Sequence, residues 1–188
     1  MLRSLVGSEM CIRDSTDRKA FYEVDSWQSA VNKIGLSMLS SRWFQDNLNN
    51  SEPRVSITAE CDEEGNVEKI FASALYKASD NEENDYTVWY TAETQIGTES
   101  QNDSLTVGNI GIADTTFMQY TLPYGTKIQI AITKNGGKVR QINTYFVKDN
   151  ILYHIYADVW AQESGRADIP INDFLTILDK IEECAPIN

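Results

Sequence analysis

The stretch 127–160 constrains the fold more than any other part of the chain. Three runs, 127–133, 138–147 and 151–160, are rich in Ile, Val, Thr and Tyr and are separated only by Asn135-Gly136-Gly137 and Asp149-Asn150. Short links of Asn, Asp and Gly accept the positive φ of tight hairpins, so the pattern predicts an antiparallel meander. A two-residue turn at Asp149-Asn150 fixes its register. Lys148 then pairs with Ile151, Phe146 with Tyr153, Thr144 with Ile155 and Ile142 with Ala157, which makes one side of the ribbon apolar. A three-residue Asn-Gly-Gly loop pairs Lys134 with Lys138 and adds Ile128, Ile130 and Ile132 to that side. A slip by one residue would turn all three isoleucines to the other face.

An apolar face of this size has to be covered. Behind Pro170, the residues Ile171, Phe174, Leu175, Leu178 and Ile181 repeat at helical spacing and predict a C-terminal helix as the lid, closed off by Pro186. Glu182 and Glu183 then sit at its negative end, an unfavourable place for acids. Near the other terminus Ser26 reads as an N-cap, and Trp27, Ala30, Val31, Ile34 and Met38 share one helical face, with the helix ending or breaking by 47–53. Val55, Ile57, Ala59 and Cys61 alternate with polar residues as in a half-buried strand, followed by a turn at Glu64-Gly65-Asn66. The run 67–77 also carries a helical stripe, but its place after the turn favours a returning strand. Further strands are predicted at 86–93, 105–112 and 116–122, with a polar loop at 96–104. The fold class expected from this pattern is α+β: an antiparallel β-sheet with an N-terminal and a C-terminal helix packed on it.

Residues 1–15 predict no element. They show neither helical nor strand periodicity, and Gly7, Ser8 and Glu9 interrupt any apolar core of a secretory signal. The run LVGSEMCIRDS, residues 5–15, resembles the in-frame translation of a transposase-based sequencing-library adapter, which marks 1–15 as a non-native segment outside the fold. The rest, 16–188, is expected to form a single domain that has lost part of its N-terminus and, with it, any export signal. Setting Cys11 aside leaves Cys61 and Cys184, which can form a disulfide in an exported protein or stand as separate buried thiols.

Charge narrows the partners. The chain holds 16 Lys and Arg against 28 Asp and Glu, a net charge of −12, which excludes duplex nucleic acid and anionic membrane surfaces as expected partners. No run is long enough for a transmembrane segment. The acidic clusters Asp62-Glu63-Glu64 and Asp80-Asn81-Glu82-Glu83-Asn84-Asp85 lack the calcium-loop pattern and read as solvated turns. One histidine and two native cysteines are too few for a structural zinc site, and neither a metal nor another cofactor is expected.

His154 is the only histidine, so any base-assisted nucleophile must use it. The meander register sets it opposite the isoleucine side, with Tyr145 directly across and Tyr156 and Asp158 on the same face. Asp158 is four residues on, about 13 Å along a strand, too far to orient the imidazole. Nucleophile-elbow, zinc-protease, redox-dithiol and phosphate-loop motifs are missing, and Gly108 with Gly111 forms only an isolated G-x-x-G. Asn143, Tyr145, His154, Tyr156 and Trp160 therefore define a candidate shallow groove for a ligand with an apolar face and a polar edge. The simpler alternative is a half-solvated sheet face with ordinary cross-strand neighbours.

The order of strand, Asn-Gly-Gly turn, VRQINTYFVKDNILYHIYADV and INDFLTILDKI resembles the C-terminal end of the PsbP-like family, with Leu152-Tyr153 and Phe174-Leu175 at the family's Leu-Tyr strand and Phe-Leu helix. The resemblance covers the last third of the chain and rests on packing residues. It implies an α/β/α sandwich and a non-catalytic accessory, lipoprotein or protein-binding module. The function expected is accordingly a binding or accessory module of an exported or lipoprotein-type protein, its partner an unspecified protein or small molecule. The alternative is a small enzyme with His154 as general base.

Overall fold

The computed structural model describes residues 19–47, 54–64, 66–78, 86–95, 114–159 and 168–187. The adapter-like segment 1–15, the loop expected at 96–104, the strand expected at 105–112 and the second acidic cluster lie outside these residues.

The β-branched and aromatic runs form the strands. In chain order they are β1 (Lys19–Val24), β2 (Met38–Ser41), β3 (Val55–Cys61), β4 (Val67–Ala78), β5 (Tyr86–Gln95), β6 (Thr115–Thr121), β7 (Lys127–Asn135), β8 (Lys138–Lys148), β9 (Ile151–Asp158) and β10 (Ile181–Cys184). The helices are α1 (Trp27–Ile34), α2 (Arg42–Asn47) and α3 (Ile171–Asp179). Eight strands make one antiparallel sheet in the order β1-β3-β4-β5-β9-β8-β7-β6, and β10 pairs with β2 in a separate two-stranded ribbon. The expected α+β class is thereby corrected: the described chain is predominantly antiparallel sheet, with helices of nine residues at most.

Both helix boundaries move for local reasons. Ser26 does cap α1, its Oγ accepting from Ser29 N–H at 3.1 Å, but Gly35 takes φ 74° and its N–H closes on the Val31 carbonyl at 2.8 Å. A glycine in the left-handed region ends a helix, so Met38 begins β2 and does not extend the α1 stripe. The C-terminal helix likewise stops at Asp179, and Ile181 to Cys184 turn into β10. Glu182 is therefore not at a helix end; it pairs with Arg42 at 2.7 Å across the ribbon.

In the meander the β8–β9 register is the expected one, with Lys148 opposite Ile151, Phe146 opposite Tyr153, Thr144 opposite Ile155 and Ile142 opposite Ala157. Asp149 and Asn150 take φ 53° and 61°, the mirror-image turn that matches strand twist. The β7–β8 link differs. Gly136 and Gly137 alone form the turn, with Asn135 opposite Lys138 and Lys134 opposite Val139. That register taken alone would put Ile132 on the wrong face. Arg140 restores it: the pairing shifts between Lys134 and Thr133, Arg140 is left unpaired as a bulge, and Ile132 stands opposite Ile142. The bulge is held from outside, since Arg140 O accepts from Val159 N–H at 3.1 Å and Val139 O from Ile169 N–H at 3.0 Å.

One sheet face is the core. Val55, Ile57, Tyr90, Ile130, Ile142, Tyr153 and Ile155 are buried there together with Trp27 and Val31 of α1, Phe44 of α2 and Phe174 and Leu178 of α3. The ribbon is tied to this face through one residue. Leu39 N–H donates to the Tyr153 hydroxyl at 2.9 Å, and the Tyr90 hydroxyl donates to Leu39 O at 2.7 Å. Trp27 packs edge-on against the Tyr90 ring at 4.9 Å, and Phe44 stacks on Tyr76 at 3.8 Å.

Two stability effects are expected. Tyr90→Phe strands a buried carbonyl and Tyr153→Phe a buried N–H, so each lowers unfolding free energy by about 1–3 kcal/mol in urea titration. Asn150→Ala costs about 1 kcal/mol because alanine resists the left-handed conformation, whereas Asn150→Gly is close to neutral.

Candidate functional site

All three helices pack on one side, so the candidate residues belong to the face that carries no helix among the described residues. The Asp149-Asn150 turn sets Tyr145 opposite His154 and Asn143 opposite Tyr156. The site is wider than the meander. Strand β5 lies beside β9 and adds Thr91 opposite His154 and Trp89 opposite Tyr156. One cross-strand row then runs Leu75, Trp89, Tyr156, Asn143, Ala131, Phe117 over six strands. Trp89 escaped sequence reasoning because the β5–β9 pairing joins segments more than sixty residues apart, with no turn to announce it.

The rings meet in an ordered way. Tyr145 stacks on His154 with centroids 4.0 Å apart and planes 13° from parallel, and Tyr156 lies 5.9 Å beyond. Asn143 is only 5% exposed and its Oδ1 lies 2.7 Å from His154 Nε2, so the imidazole N–H donates to the amide oxygen. Gln141 Nε2 donates to the Tyr156 hydroxyl at 2.8 Å. The Lys69–Glu93 ion pair, at 2.8 Å, lies on the same face. Four of the five predicted site residues thus come together; Trp160 lies outside the described residues.

Burial sets the electrostatics. It lowers the His154 pKa from 6.5 to about 4, because no acid offsets the loss of hydration of the imidazolium. Burial and the neighbouring Asp158 both push the Tyr156 phenol up. At neutral pH the site is an uncharged platform of stacked rings with amide and phenol groups at its rim. It can receive a flat apolar surface and exchange hydrogen bonds around it.

Other expectations are settled more simply. The Cys61–Cys184 disulfide is corrected: Cys184 carries a free thiol, which donates to Gln28 Oε1 at 3.1 Å. Asp62 closes its turn through its own carboxylate, which accepts from the backbone N–H groups of Glu64 and Asn66 at 2.9 and 2.7 Å. Among the described residues no group of three or more His, Cys, Asp or Glu is placed to hold a metal ion, and no helix is long and apolar enough to cross a membrane. No protein-family model, curated protein or solved structure matches the chain.

The depressed His154 pKa has a signed consequence. Between pH 6.5 and 4 the unfolded chain binds a proton at this residue that the folded chain refuses, so acid favours unfolding through this window. The stability difference between wild type and His154→Gln is expected to be constant above pH 6.5. As pH falls toward 4 it shifts in favour of the variant, as measured by urea midpoints at matched pH.

Proposed function

We propose that this protein is a non-catalytic binding module whose ligand surface is the ring platform of Trp89, Tyr145, His154 and Tyr156. The observation that carries this reading is the Tyr145–His154 stack, coplanar to 13° and floored by the buried, hydrogen-bonded Asn143. Such a surface suits a compact ring with an apolar face and hydroxyl edges, of which a pyranose is the plainest example. The likeness of the C-terminal third to PsbP-like accessory modules points the same way.

The enzymatic alternative is weaker on two counts. A general base works best with a pKa near the operating pH, and His154 sits near 4. Its hydrogen-bond partner is the Asn143 amide, which cannot stabilise an imidazolium as a carboxylate would.

Thermal unfolding against panels of soluble saccharides and lipids tests the proposal. A ligand at a hundredfold excess over Kd adds about 2.7 kcal/mol, roughly 5–10 °C in Tm for a domain of this size. The shift should disappear in Tyr145→Ala and in Trp89→Ala. A shift that survives both substitutions, or none from either panel, counts against the platform.

A further inference from the structure

The two edges of the eight-stranded sheet are unlike. At β1 the edge is guarded by charge: Lys19 pairs with Glu60 at 2.7 Å and Glu23 lies 3.6 Å from Arg54. At β6 the sequence is TTFMQYT, without a charge, a proline or a bulge, in a chain whose net charge is −12. Proteins ordinarily blunt exposed edges by one of those devices, because an open edge is a template for another strand.

The backbone of β6 points its free groups outward in a defined set. Leu122 N–H donates to Thr126 O at one end of the β6–β7 hairpin, and Asp114 O accepts from Lys134 N–H at the other. Even-numbered residues therefore bond to β7, and Phe117, Gln119 and Thr121 turn their N–H and C=O groups away from it. Phe117 is 46% exposed.

We propose that β6 is a self-association edge on which a second copy of this chain pairs antiparallel, its twofold axis passing between the two Gln119 residues. This register makes the strand complementary to itself. Gln119 meets Gln119, Phe117 meets Thr121, and on the other face half-buried Met118 meets Tyr120, an apolar match that favours sulfur–aromatic contact. Each odd-numbered pair exchanges both backbone hydrogen bonds. A second copy is favoured over an unrelated acidic partner because the one stretch free of repulsion also matches itself in reverse. The interaction continues the sheet from one protomer into the next and leaves the ring platform of each copy facing the same side.

Sedimentation equilibrium over a concentration series, combined with amide hydrogen exchange, is the test. Wild type should dimerise reversibly, with protection of the Phe117, Gln119 and Thr121 amides rising with concentration. Gln119→Lys, which sets like charges across the axis, and Gln119→Pro, which removes an outward donor, should both be monomeric. Gln119→Lys should keep the circular dichroism spectrum of wild type, and Phe21→Lys on the guarded β1 edge should leave dimerisation unchanged. A wild type that stays monomeric at every concentration overturns the proposal, even if it takes up an added extended peptide. A Gln119→Lys variant that dimerises like wild type overturns it equally.

Discussion

Two tyrosine hydroxyls hold the layers of this molecule together. A wide sheet buries one face only if something apolar lies on it, and the covering here includes a strand, β2, whose backbone cannot be buried unsatisfied. Leu39 lies at that contact. Its N–H and C=O are turned away from β10 and are met by Tyr153 and Tyr90, which rise from adjacent strands β9 and β5. Each tyrosine contributes an apolar ring to the core and a polar tip at the depth where the ribbon needs one. Phenylalanine would fill the same volume and leave the backbone unpaired. Trp27 and Phe44 then pack around Tyr90, so the positions of α1 and α2 follow from the same residue.

The meander was legible in the sequence because its determinants are local. A two-residue turn dictates register for the residues that follow, and strict alternation dictates the buried face. The β7–β8 arm shows the limit. Sequence reasoning assigned the isoleucines to the right face through a three-residue loop, whereas the chain uses a two-residue turn and a compensating bulge at Arg140. Both solutions keep the same parity, and burial of Ile128, Ile130 and Ile132 selects for parity, not for the route to it. The helical elements were less legible. Met38 and Ile181 extend the α1 and α3 stripes in sequence, yet both belong to the ribbon, where Met38 pairs with Cys184 and Ile181 with Ser41. That pairing brings together the two ends of the chain, and periodicity in either segment carries no trace of it.

The candidate site divides along the same line. Asn143, Tyr145, His154 and Tyr156 lie on two strands joined by one tight turn, so their juxtaposition follows from counting residues back from Asp149-Asn150. Trp89 and Thr91 enter from β5, which has no short connection to β9, and only the tertiary structure reveals them. The electrostatic character of His154 was equally hidden. Its nearest polar partner in sequence terms was Asp158, yet across the strands it finds Asn143, and that substitution of an amide for an acid decides what the imidazole can do.

An amide partner and a stacked phenol hold the imidazole in place without stabilising its charge. A carboxylate in the place of Asn143 would favour the imidazolium and raise the pKa toward the range of a working base. Burial without such a partner does the opposite, and the ring behaves as a neutral, hydrogen-bonded aromatic surface. The same absence of charge extends along the row through Tyr156, Asn143 and Ala131 to Phe117 at the sheet edge. In a chain that is otherwise strongly acidic, an uncharged band crossing six strands is where contact with a neutral ligand incurs least electrostatic and desolvation cost, and its end at β6 is where a second acidic chain can approach with least repulsion. Recognition on the face and association at the edge would then draw on one property of the sheet, the exclusion of ionised groups from a continuous cross-strand band.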